Sequence, residues 1–104
     1  MRLVEELKVN VKRLAETLVE LVRIPSPPGE EGKIAEAVAD RLEKLGVKPS
    51  IDKYFNVRAE LGPKGKTVVL NAHLDHVPPG EGWTLNPYEG RMEGGRIYGV
   101  GASD

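Results

Sequence analysis

Between residues 66 and 80 the chain reads Lys-Thr-Val-Val-Leu-Asn-Ala-His-Leu-Asp-His-Val-Pro-Pro-Gly, and few folds accommodate such a stretch. Val68, Val69 and Leu70, with Ala72 beyond Asn71, form an apolar run whose β-branched members pack well on a pleated surface. No charge interrupts it, so it predicts a strand over 67–72 that is buried on both faces. Side chains alternate along a strand, so His73 and Asp75 are expected on one side, where the apolar run stops. In open α/β sheets the carboxyl end of an inner strand is where ligands bind. Pro78, Pro79 and Gly80 end the strand, because proline cannot donate to a ladder.

The rest of the chain supplies elements to cover that strand. From Leu3 to Ile24, apolar residues at Leu7, Val11, Leu14, Leu18 and Leu21 recur at helical spacing, with Glu5, Lys8, Lys12, Glu16 and Glu20 expected on a solvated outer face. Pro25 stops this helix, and Ile24-Pro-Ser-Pro-Pro-Gly29 forms a rigid connector. A second helix is expected over 30–45, burying Ile34, Val38, Leu42 and Leu45 and leaving through Gly46. Strands follow at about 48–52 and 56–61, with Gly62-Pro-Lys-Gly65 as a hairpin turn into the inner strand. Trp83 to Tyr88 reads as an ordered loop. Gly94-Gly95 then turns a short hairpin between 91–92 and 96–98. The expected fold class is α/β, a mixed sheet flanked by helices.

With 104 residues the chain suffices for one domain. Fifteen basic against sixteen acidic residues leave a net charge of -1, which gives no footprint for nucleic acid or an anionic membrane. No apolar run reaches spanning length and the amino end lacks the pattern of a signal peptide, so the expected location is cytoplasmic. Without cysteine, any metal must be held by His, Asp and Glu. Glutamine is absent while Glu, Lys, Arg and Val abound, a bias typical of heat-adapted proteins.

Two readings of His73 stand side by side: an imidazole ligand for zinc, or a histidine satisfied by a hydrogen bond at a strand end. Asp75 can bind metal or orient another imidazole. His76 is expected on the opposite face, as a loop residue, and Trp83 and Tyr88 as packing residues. Gly99-Val-Gly101 could open a phosphate-cradling turn, but no helix follows it in this chain.

The motifs in order say more than any one of them. His73-Leu-Asp75, Val77-Pro-Pro-Gly80, Trp83, Pro87-Tyr88, Gly94-Gly-Arg-Ile-Tyr98-Gly99 and Gly101-Ala-Ser-Asp104 resemble the metal-binding segment of the zinc-dependent exopeptidase and deacylase family. That family includes acetylornithine deacetylase, succinyl-diaminopimelate desuccinylase, aminoacylase and the glutamate carboxypeptidases. The resemblance extends to the amino end, through the long helix, Ile24-Pro-Ser26 and the Gly29-Glu-Glu31 helix start.

The resemblance implies that residues 1–104 are the amino-terminal portion of one catalytic α/β domain. It implies hydrolysis of the amide bond of a small N-acyl amino acid or short peptide, with two zinc ions, or cobalt in their place, about 3.5–4 Å apart and a water between them. His73 matches a zinc ligand, Asp104 the carboxylate bridging both ions, and Asp75 the catalytic aspartate that positions the site. Val100 stands where the family usually has arginine, and His76 where it has valine or threonine. The family's general-base glutamate, its remaining carboxylate ligand, its distal histidine and its lid domain fall after the position of Asp104. The isolated chain is therefore expected to bind zinc weakly and to hydrolyse nothing at a useful rate. The rival expectation is a non-catalytic module or remnant that pairs with a partner, or with a second copy as a homo-oligomer, through an exposed sheet edge, and a third is a folding remnant with no activity.

Overall fold

A computed structural model describes residues 8–104, so the expected helical residues 3–7 lie outside the described part. Helix α1 spans Val11–Val22, starting later than the apolar spacing predicted. Asn10 sets its start: the Asn10 side-chain oxygen accepts the Arg13 N–H at 3.0 Å, satisfying a donor that the first turn leaves unpaired. The buried face is also rotated from the expected stripe. Val22 is buried and Leu18 and Leu21 are half-buried, while Val11 and Leu14 are exposed. Glu20, expected on the solvated side, instead meets Arg41 of the second helix.

The connector folds as its prolines dictate. Pro28 and Gly29 occupy the central positions of a turn closed by Glu30 N–H donating to Pro27 O at 2.9 Å, with Gly29 at a φ of 86°. Helix α2, Gly32–Lys44, buries Ile34, Ala35 and Ala39, and leaves Leu45 exposed. Its exit follows from Gly46, which adopts a φ of 84°. Gly46 N–H donates to Glu43 O at 2.9 Å and Val47 N–H to Leu42 O at 3.0 Å, satisfying carbonyls that the last turn would otherwise strand.

Strands β1, Ser50–Ile51, and β2, Val57–Arg58, pair antiparallel, with Ser50 opposite Arg58 and Ile51 opposite Val57. The link between them is built on Asp52. Its carboxylate accepts the backbone N–H of Tyr54 at 2.8 Å and of Asn56 at 3.0 Å, and the Asn56 side-chain amide at 2.9 Å. Those bonds, with that of the Asn56 side chain foremost, hold the Asp52 carboxyl below its ordinary value. Helix α2 packs against α1 and this ladder. Strands β3, Arg91–Glu93, and β4, Arg96–Tyr98, form the expected second hairpin. Gly94 and Gly95 turn it at φ values of 59° and 75°, a conformation that matches the twist of the flanking strands.

Among the described residues the mixed sheet is not formed: helices and strands are both present, but the strands make two separate two-stranded antiparallel ladders. Residues 67–72 are not a strand, and Val68, Val69 and Leu70 are 85%, 78% and 93% exposed, against the buried inner strand expected there. A strand exists only through its neighbours. β2 pairs with β1 through the Asp52 turn, and no described strand lies beside the 67–72 run to take up its backbone groups. The expected Gly62–Gly65 hairpin is accordingly absent, and residues 58–73 are all exposed. The radius of gyration, 16.0 Å, exceeds the roughly 13 Å of a chain this long that closes its own core.

Candidate functional site

Although the strand meant to present them is absent, His73, Asp75 and Asp104 come together. His73 Nδ1 lies 2.9 Å from the main-chain oxygen of Asp75 and 3.3 Å from its carboxylate, while His73 Nε2 faces Asp104 Oδ2 at 3.3 Å. The imidazole therefore stands between two carboxylates, one on each nitrogen. The shortest contact is to a backbone carbonyl, so a local turn rather than strand alternation brings residues 73 and 75 together. The carbonyl of Asp75 fixes the His73 proton on Nδ1 when the ring is neutral and leaves Nε2 as the free nitrogen toward Asp104. The bond to that carbonyl, followed by the negative charge of Asp104, raises the His73 pKa above its ordinary 6.5. Among the described residues, no group of three or more His, Cys, Asp or Glu side chains is arranged to hold a metal ion.

A hydrogen-bonded cluster lies beside this trio, in residues not expected in the site from the sequence. Ser26, in the connector after α1, is 1% exposed. Its hydroxyl donates to Leu74 O at 2.7 Å, and its N–H donates to His76 Nε2 at 2.9 Å. His76 N–H returns a bond to Ser26 O at 3.1 Å. His76 thus lies in an irregular segment, as its reading as a loop residue expects, and is half-buried and engaged with the connector. Its ring rests against that of Tyr88, with centroids 5.5 Å apart. Ser26 and His76 are 50 positions apart, so no local pattern connects them; the Pro-Ser-Pro setting of Ser26 was the one available hint.

The segment carrying Asp104 is seated by the end of α1. Val100, which is buried, donates its N–H to Pro87 O at 2.9 Å, and Arg23 Nε donates to Glu89 O at 2.8 Å. Gly99 packs so closely on Val22 that a Cβ there would overlap Val22 Cγ1 and lie 3.1 Å from Pro87 O. Gly99 and Gly101 therefore serve close packing, Gly99 against Val22 and Gly101 against His76. Trp83 closes the Pro-Pro-Gly loop by donating Nε1–H to Pro79 O. Trp83 also lines an open groove of about 540 Å³ with Leu18, Leu85, Ile97, Tyr98 and Ser103, the residue before Asp104 in the chain. No helix among the described residues is long and apolar enough to cross a membrane.

No family model matches the chain. Individual relatives do. It is 37% identical over 94 residues to a succinyl-diaminopimelate desuccinylase of Methylorubrum extorquens, a match covering 81% of this chain and 24% of the relative. A succinyl-diaminopimelate desuccinylase of Rhodospirillum centenum is 34% identical over 95 residues, covering 82% and 25%. An uncharacterized protein of Escherichia coli, YgeY, is 34% identical over 90 residues, covering 84% and 22%. The chain thus spans about a quarter of the length of the curated relatives it matches. With four fifths of its residues aligned at 34–37% identity to enzymes of that name, the chain belongs to the deacylase and exopeptidase family.

Proposed function

We propose that residues 1–104 form the amino-terminal, metal-bearing part of the catalytic domain of a metal-dependent hydrolase that cleaves the amide bond of a small N-acyl amino acid or short peptide. One observation carries the proposal: His73 stands between Asp75 on Nδ1 and Asp104 on Nε2. Two ligand atoms each about 2.0–2.1 Å from a tetrahedral zinc are separated by about 3.3–3.4 Å. The His73 Nε2 to Asp104 Oδ2 spacing of 3.3 Å fits that separation. The donor set also suits zinc, pairing an imidazole with a carboxylate.

In this reading His73 and Asp104 would hold the metal, and Asp75 would set the ring. The carbonyl and carboxylate of Asp75 fix the proton on Nδ1, keep Nε2 available and raise the basicity of the ligand. Asp104, 86% exposed along its side chain, has an oxygen to spare for a second ion, consistent with a bridging role. A bound zinc, or cobalt, supplies the Lewis acidity that activates water and polarises a carbonyl. The remaining ligands and the base that takes the proton from water would come from the portion of the relatives that this chain does not match. The groove lined by Trp83, Leu85, Tyr98 and Ser103 offers an apolar surface for substrate on the segment that carries Asp104.

The test is a chimera in which residues 1–104 replace the matching quarter of a succinyl-diaminopimelate desuccinylase. The proposal predicts a zinc-loaded chimera that hydrolyses an N-acyl amino acid and loses that activity with His73→Ala. A folded chimera that holds zinc but turns over no N-acyl or peptide substrate would contradict it. A second reading draws on the exposure of Val68, Val69 and Leu70, whose free backbone groups could template a strand of a partner or of a second copy in a non-catalytic module. Concentration-dependent protection of amides 67–72 from hydrogen exchange in the isolated chain would favour it.

A further inference from the structure

Beyond the residues that would touch a metal, we infer that Ser26 and His76 are positioning residues that lock the His73–Asp75 turn against the segment carrying Asp104. Three hydrogen bonds join the connector to the turn: Ser26 Oγ to Leu74 O at 2.7 Å, Ser26 N–H to His76 Nε2 at 2.9 Å, and His76 N–H to Ser26 O at 3.1 Å. The first falls on the carbonyl of the residue between His73 and Asp75, so it holds the peptide that decides how those two side chains face each other. Ser26 is buried, so water cannot replace its partners there.

His76 reaches the third segment as well. A Cβ on Gly101, three residues before Asp104, would lie 3.3 Å from His76 Cβ, and the Tyr88 ring flanks the imidazole on the loop whose Pro87 carbonyl accepts Val100 N–H. The connector, the turn and the terminal segment therefore meet at one imidazole. Its tautomer follows from the bonds it makes. Because Nε2 accepts from Ser26, the ring proton sits on Nδ1, where it donates to Val77 O at 2.7 Å. An aliphatic side chain at this position leaves the Ser26 N–H without its partner. Glutamine can place an amide oxygen near the Nε2 position, whereas the shorter asparagine reaches only the Nδ1 position.

The effect on metal rests on the proposed function; the lock itself does not. The experiment therefore has two arms on the whole 104-residue chain. Long-range proton–nitrogen spectra at neutral pH should show His76 with a bare Nε2 and a protonated Nδ1, and a Ser26 amide protected from exchange that loses protection in His76→Val. Zinc titration should give affinity reduced about 10 to 100-fold in His76→Val and His76→Asn and largely restored in His76→Gln, with circular dichroism unchanged. A protonated Nε2, or an unprotected Ser26 amide in the wild type, overturns the lock. Zinc affinity that falls equally in the Gln, Asn and Val variants, or in none of them, overturns the positioning role. If the wild type binds no zinc, the expected weak metal binding of the isolated chain fails, and the lock is judged by whether the His73 ring resonances shift in His76→Val and return in His76→Gln; no shift overturns it.

Discussion

Replacing Gly99 by alanine should harm this protein through a single added methyl, and a second substitution should repair the harm. The new Cβ would overlap Val22 Cγ1 and crowd Pro87 O at 3.1 Å, the carbonyl that accepts the Val100 N–H. Gly99 is not held at positive φ, so the penalty is one of space and not of backbone strain. Overpacking of this kind costs about 1–3 kcal/mol. The entropy gained from a less flexible unfolded chain returns about 0.4–1 kcal/mol, so the overlap wins. Val22→Ala alone removes two methyl groups from a side chain 6% exposed, a loss of about 1.6 kcal/mol in transfer energy with a cavity cost added. Together the two changes put the new Cβ in the place of Val22 Cγ1 across the same contact, with the second Val22 methyl lost as in the single variant. In the Val22→Ala background, Gly99→Ala should therefore cost much less, with only the approach to Pro87 O remaining, giving a coupling of about 1–3 kcal/mol. Urea unfolding of the four proteins followed by far-ultraviolet circular dichroism measures it. A double variant whose destabilisation equals the sum of the two singles, within about 0.5 kcal/mol, would refute the packing of α1 on the Asp104 segment.

His73 has a raised pKa, so in the metal-free chain its charged contacts stabilise the fold below the ordinary 6.5 and lose that effect as pH rises through the folded value. An NMR titration should place its midpoint above 6.5 and show it falling in Asp104→Asn; an unmoved midpoint would contradict the pairing. Asp52 has a lowered pKa, so its turn contributes stability above the ordinary 3.8 that is lost as pH falls through the folded value. Asp52→Ala should free the amides of Tyr54 and Asn56 to exchange and remove that acid dependence. Glu20→Gln and Arg41→Met should each cost only about 0.2–1 kcal/mol in thermal unfolding, because both side chains keep about a third or more of their surface in water.

What is readable in the sequence is what short-range chemistry decides. Gly46 ends α2 and Gly94-Gly95 turns the second hairpin because each needs only its own backbone freedom and its near neighbours. The Asn10 cap and the Asp52 turn rest on equally local bonds, but the apolar spacing runs the first helix through Asn10 and marks no turn over 52–56, because an acceptor side chain competes for nearby N–H groups without showing in that spacing. The 67–72 run misleads because its pattern says only that it seeks burial, while its becoming a strand depends on a partner elsewhere. The site divides in the same way. His73, Asp75 and Asp104 are visible as residue types in order, but their meeting depends on the Asp75 carbonyl and on packing of the Asp104 segment. The link between Ser26 and His76 leaves no trace in local pattern, since their bond crosses 50 positions.

The most direct test of the account is calorimetric titration of zinc into the 104-residue chain and three variants at neutral pH. The wild type should bind zinc weakly, since His73 and Asp104 supply only part of a coordination shell. His73→Ala and Asp104→Ala should each abolish that binding, and Asp75→Asn should weaken it about 10 to 100-fold by loosening the ring. Zinc bound with wild-type affinity by both His73→Ala and Asp104→Ala would contradict the central claim that these two side chains are a metal-holding pair.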